Sequence, residues 1–401
     1  MQETPEQPLK RGLFLPPLLQ ALISGTGLLV AVLMVILFFL SGFVNLFTGS
    51  ASEDLLPAFS LAWSALLVAV LLLPSVVRSI RHLAGKPQQA RERNLFPLAL
   101  IGMLLWAPLV LLGHWLAGQP TLHWLWLPPL QVLAVALPIF FWVEAGRRRL
   151  REDPEESSHG VYGFGVVVTQ PLVIVVEIIL LVGLVVLFLL WASVQPDLLA
   201  ELTRLGQRMM DAQMDPMLLE SILLPYLQSP WLIYLSLMVG AGLIPLVEEL
   251  LKPLALWLMV GRKLNESQGF MMGLVAGGTF ALLESLSIAS AAAPQEWSSI
   301  MVARLGTGIL HVTTSALVGW GLGAAWAQRR YLQLGLAFLL AVSLHGIWNF
   351  FGLLLGIVPF LPDVVALPGL ELVGPLALGV LSAVMLLIIF NGNQRLRRQQ
   401  V

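Results

Sequence analysis

A chain of 401 residues that is 58% hydrophobic and 11% charged is no ordinary soluble globule, in which about a quarter of residues carry charge. Its net charge of −1 offers no basic excess for nucleic acid. The absence of Cys removes disulfides, thiolate metal sites and cysteine nucleophiles.

A helix needs about 20 apolar residues to cross the hydrocarbon core of a bilayer. Ten runs qualify, near 18–47, 57–78, 95–117, 124–145, 164–192, 231–259, 269–292, 301–326, 331–357 and 371–391. The stretch behind Lys10 and Arg11 is too long for the apolar part of a signal peptide and reads as the first anchor. The fold expected is therefore all-α, a polytopic integral membrane protein with about ten transmembrane helices. Basic clusters follow every second span: Arg78, Arg81, Lys86, Arg91 and Arg93, then Arg147 to Arg149 with Arg151, Arg262 with Lys263, Arg329 with Arg330, and Arg395, Arg397 and Arg398. The opposite short loops are neutral or acidic, with Glu53, Asp54, Glu296 and Asp363. Basic residues favour the cytoplasmic side, so both termini are expected there.

The first five spans and their loops, residues 1–192, read as scaffold. The fifth carries Gln170 and, near its middle, Glu177, for which structural pairing with Arg304 or Lys252 is expected, with a place in a proton pathway as the alternative. The long loop 193–230 places Leu198, Leu199, Leu202, Leu205, Met209 and Met210 at helical spacing. That pattern predicts an amphipathic helix on the outer membrane face, broken at Pro216 and followed by a second short helical turn. The Gly273-Gly277-Gly278 and Gly319-Gly321-Gly323 clusters are expected to form small-residue faces for close helix packing. A final span and a basic tail occupy 358–401.

The segment 231–357 differs from the rest. Each of its four spans carries ionisable residues: Glu248, Glu249 and Lys252 on the first, Glu284 on the second, Arg304 and His311 on the third, His345 with Asn349 on the fourth. A charge near the bilayer centre costs about 3 kcal/mol on insertion scales, and a leucine would avoid that cost. At a rise of about 1.5 Å per residue, Glu248, Glu284, His311 and His345 fall in one layer roughly 10 Å thick. Glu248 and Lys252 are four apart, as are His345 and Asn349, and Arg304 and His311 are seven apart, so each span turns its polar groups one way. Pro245 and Pro253 bracket the carboxylates, which predicts a kinked, locally opened helix. Two carboxylates with one Lys leave a carboxylate to act as general base for water. Two His and an Asn supply oxyanion donors or neutral imidazole ligands. Without HExxH a zinc site of the usual helix-borne protease type is excluded.

The order EELLK, FALLE, a span running from Arg304 to His311, and HGIWN, on four consecutive spans between residues 231 and 352, resembles the PrsW family of intramembrane proteases. That family is similar to the CAAX prenyl endopeptidases and bacteriocin-processing proteins. The resemblance implies a peptidase that cleaves a membrane-anchored protein substrate in the bilayer. It implies Glu248 and Glu249 as the first-motif carboxylates, one of them activating water. Glu284, His311 and His345 would be further catalytic or metal-binding positions, Asn349 would support His345, and Lys252 and Arg304 would assist. It leaves open both zinc or another divalent metal, held by Glu284, His311 and His345, and a metal-free mechanism. Ser285, Ser287 and Ile288 stand where an Asn and an aromatic are expected after the second-motif Glu. Two other classes suit midplane acids and imidazoles: a proton- or cation-coupled transporter, which usually shows internal repeats where this chain shows none, and a non-catalytic immunity or assembly protein of the same fold. Compact basic loops suggest a prokaryotic plasma membrane.

Overall fold

In hydrocarbon every backbone N–H and C=O must find a partner within the chain, so an apolar run of bilayer length folds as a helix. The computed structural model describes residues 17–49, 52–86, 94–119, 121, 123–151, 158–213, 215–260, 264–358 and 369–400. Lys10 and Arg11, which precede the first anchor, and Arg91, Arg93, Arg262, Lys263 and Asp363, used above to orient the chain, lie outside the described residues. Among the described residues there are ten helices long and apolar enough to cross a membrane, and no strand.

The helices are α1 (Pro17–Phe47), α2 (Ser52–Leu83), α3 (Phe96–Ala117), α4 (His123–Arg147), α5 (Ser158–Phe164), α6 (Gln170–Ser193), α7 (Pro196–Asp211), α8 (Pro216–Leu227), α9 (Pro230–Met238), α10 (Ile244–Leu251), α11 (Leu254–Trp257), α12 (Glu266–Ser290), α13 (Trp297–Gln328), α14 (Tyr331–Ile357) and α15 (Leu370–Gln399). A π turn over Gly165–Thr169 joins α5 to α6, and another over Val239–Leu243 joins α9 to α10. Two compact units emerge: one of residues 1–170, 249–341 and 382–401, the other of 171–248 and 342–381.

The larger unit is built on α12, whose central span is the most enclosed of the ten. Gly269, Gly273 and Gly277 recur every four residues along one face of α12. A Cβ on any of them would collide with the α13 backbone, at the carbonyls of Gly319, Ser315 and His311 respectively. The expected small-residue faces thus meet backbone to backbone, the close approach typical of helix pairs in membranes. The contact also fixes the level of His311 on α12, two turns before Glu284. Beside that face α12 is covered by α4, where Val143 and Ile139 fill the space above Gly278. Trp297, fully buried, drops its ring onto Gly113 of α3. The last carbonyls of α4 have no partners of their own. Asn393 of α15 supplies them, donating to the carbonyls of Gly146 (2.8 Å) and Arg148 (2.9 Å).

In the smaller unit the 193–230 segment forms two helices. Asp215 caps the second, its Oδ1 accepting from the Met217 amide at 2.9 Å, with Pro216 at the first helical position. The second element is a 12-residue helix, longer than the short turn expected. The sixth span departs from expectation too. Its helix stops at Leu251 rather than running to 259. Pro253 cannot continue the hydrogen-bond ladder, so Lys252 and Pro253 form a turn before the single turn of α11.

The π turn has a local cause. In its register Ile244 N–H bonds the carbonyl of Val239, so the next carbonyl, that of Gly240, would take the N–H of residue 245. That residue is Pro and has none. Asn349 of α14 fills the place, its Nδ2 donating to the Gly240 carbonyl at 2.9 Å. Gly346 lets the two backbones approach, since a Cβ there would press on the Ala241 carbonyl at 2.5 Å.

Candidate functional site

In the larger unit five polar residues from three stretches of chain form one continuous line. Glu249 and Lys252, three apart across the end of α10, make an ion pair of 2.8 Å with both side chains fully buried. The same ammonium lies 2.7 Å from Nδ1 of His311 and 4.4 Å from the centre of the Phe280 ring. The Phe280 ring also meets the His311 imidazole edge to face at 5.0 Å. A charged lysine only donates, so Nδ1 of His311 is the acceptor and its proton sits on Nε2. That Nε2 stands 2.9 Å from Oε2 of Glu284 and donates to it. Arg304 reaches the same oxygen at 3.6 Å. The His311 tautomer is thus set from both sides, by an ammonium on one nitrogen and a carboxylate on the other. Glu284 is the most open member of the line, with 27% of its side chain exposed against 1% for His311.

Burial of the Glu249–Lys252 pair has an energetic consequence. Removing one partner of a buried ion pair leaves an uncompensated charge and costs about 3–5 kcal/mol. Lys252→Met is expected to lower the melting temperature sharply and Lys252→Met with Glu249→Leu to recover much of the loss, as read by thermal unfolding in detergent.

In the smaller unit His345 and Glu248 face each other. Nε2 lies 3.9 Å from Oε2, with 2% and 8% of the side chains exposed. This is long for a hydrogen bond. It is near the roughly 3.4 Å that separates two ligands each about 2.1 Å from one tetrahedral ion. A buried carboxylate and imidazole are also suitable donors, so the pair fits a divalent metal. In the larger unit His311 and Glu284 bond each other directly, which makes them a hydrogen-bonded couple in this structure.

Of the residues singled out from sequence, Glu249, Lys252, Glu284, Arg304 and His311 come together in one unit, and Glu248 and His345 in the other. Arg304, equally consistent with a snorkelling side chain, is drawn into the line by Glu284. Asn349 has a different partner from the one expected: it holds the Gly240 carbonyl instead of orienting His345. Glu177 lies on α6. Sequence reasoning missed Phe280, which backs both Lys252 and His311, and Gly346. The FALLE motif contains the first and HGIWN the second.

Residues 216–370 match the family model described as PrsW family intramembrane metalloprotease. The match spans all eight polar residues from Glu248 to Asn349 and leaves the first five spans outside it. It supports a peptidase acting on a protein substrate in the membrane. No curated protein and no solved structure matches the chain.

Proposed function

We propose, from the match of residues 216–370 to the model of the PrsW family of intramembrane metalloproteases, that the protein hydrolyses a peptide bond in or beside the membrane segment of a membrane-anchored protein. The observation that carries the proposal is the buried line Glu249–Lys252–His311–Glu284–Arg304 inside the matched residues. Scaffolding alone gives no reason to place five ionisable groups in bilayer-spanning stretches.

The residues divide the work as follows. Glu248 and His345, which face each other in the smaller unit, would hold a divalent metal. Such an ion acidifies a bound water and polarises a carbonyl. Lys252 fixes Glu249 and His311 by donating to both. Glu249, paired with that ammonium, receives the proton of the attacking water. Glu249 then passes that proton to the leaving amine, while the neutral His311 stays fixed between Lys252 and Glu284. Arg304 neutralises Glu284 at the more open end. Asn349 and Gly346 act at a distance from the chemistry, clamping the π turn that precedes the carboxylates. A metal-free variant would have Glu249 activate water unaided, as the general bases of other hydrolases do.

The test is cleavage of a panel of tagged single-span proteins by the purified protein in liposomes, with and without a chelator. Product that disappears in Glu249→Gln and on chelation supports the metal-dependent scheme. Product insensitive to chelator but lost in Glu249→Gln supports the metal-free one. Unchanged cleavage in Glu249→Gln refutes both.

A further inference from the structure

We infer that the groove at the α13–α14 turn is a specific site for an anionic phospholipid, with its phosphate on the arginines and one acyl chain along α14. The groove lies within the larger unit and has a volume of about 790 Å³, in the range of sites that enclose one ligand molecule. Arg329, Arg330 and Arg395 line one end. Leu332, Leu336 and Leu340 line the other, on successive turns of α14 and exposed at 78%, 60% and 45%. A phosphate joined to a hydrocarbon chain matches that division of charge and apolar surface. The site sits where two spans meet at a turn, the level at which headgroups lie, and basic pockets between helices at that level take anionic headgroups.

Three independent features show that the arginine end is built. Arg329 closes α13 in the left-handed conformation, φ 58°, while the Arg329 and Arg330 amides bond back to Ala325 and Ala324. Glycine is the residue for such a helix end. Keeping a side chain there against the backbone preference points to a use for the guanidinium. Arg395 stacks over Trp320 at 5.5 Å. The Trp320 indole N–H in turn donates to Glu266 at 2.8 Å, and Glu266 also holds Arg330 at 3.3 Å. One carboxylate against three guanidiniums leaves the groove positive. Finally, Gln333 lines the groove, and its buried Nε2 has no hydrogen-bond partner among the described residues. An ester or phosphate oxygen would satisfy it.

The test is native mass spectrometry and thermal unfolding of the full-length protein in detergent, titrated with phosphatidylglycerol, phosphatidylcholine or inorganic phosphate. Phosphatidylglycerol is expected to bind and to raise the melting temperature. Arg329→Gly and Arg395→Gln should each weaken it about fivefold, the effect of one basic side chain on an anionic headgroup. Arg329→Gly leaves the helix end in a conformation that glycine prefers, so its lipid-free melting temperature should not fall. That separates lost binding from lost folding. Equal binding of phosphatidylcholine, or undiminished phosphatidylglycerol binding in both variants, would overturn the assignment. A thermal shift reproduced in full by inorganic phosphate would assign the arginines to free phosphate and remove the lipid.

Discussion

Glu248→Gln and His345→Ala, made singly, are each expected to lower peptide-bond hydrolysis by about 10²–10⁴-fold, the range that a single acid–base or ligand group supplies. The two side chains face each other across 3.9 Å in a nearly closed environment. At that distance their mutual contact adds little to stability, and glutamine keeps the shape of glutamate. The loss should therefore appear in the chemical step for Glu248→Gln, whereas His345→Ala, which empties a buried site, should lower the melting temperature as well. Bound metal, measured on the purified protein, should fall together with activity. Activity retained in both variants would remove Glu248 and His345 from the chemistry.

Gly277→Ala is expected to destabilise the protein by about 3 kcal/mol or more, although only one methyl is added. Overpacking a closed site usually costs about 1–3 kcal/mol because neighbours must move. Here the obstacle is the backbone carbonyl and carbonyl carbon of His311, with the Ser315 Cβ beside them. No side-chain rotation relieves the clash. α13 must shift instead, and it would carry His311 away from Glu284 and Lys252. Loss of folded yield and of activity should therefore travel together. Gly335→Ala is the control. Gly335 lies inside α14 with open space where its Cβ would be, and alanine in a helix interior gains about 0.5–1 kcal/mol over glycine. Thermal unfolding of the two variants side by side should show opposite signs.

The number and order of the spans were legible because hydropathy over 20 residues is a strong, local signal. The end of the sixth span was not. The residues after Pro253 stay apolar, as LALWLMV, so hydropathy alone cannot separate a kinked helix from a stopped one. The π turns were invisible for a related reason, since a one-residue change of hydrogen-bond register leaves composition untouched. Pro245 was in view, but which carbonyl it orphans depends on that register. Hence the four-residue spacing of His345 and Asn349 suggested a pair, whereas Asn349 serves Gly240. The Arg304–His311 stripe was legible from its seven-residue spacing, and the structure puts Glu284 against both residues. The π-turn clamp and the Phe280 backing depend on contacts between distant stretches and could not be read from spacing.

The most direct test of the central claim is single-turnover cleavage of one single-span substrate in liposomes, with the new termini located by mass spectrometry. The measurement compares wild type with Glu249→Gln, whose side chain lies inside the buried line. The account predicts one cut in or beside the substrate's membrane segment by wild type, and none by the variant. An identical cut by both proteins would contradict it. So would a variant that cleaves nothing less than wild type but loses a pH-dependent ion flux, which would make the buried line a conduction path.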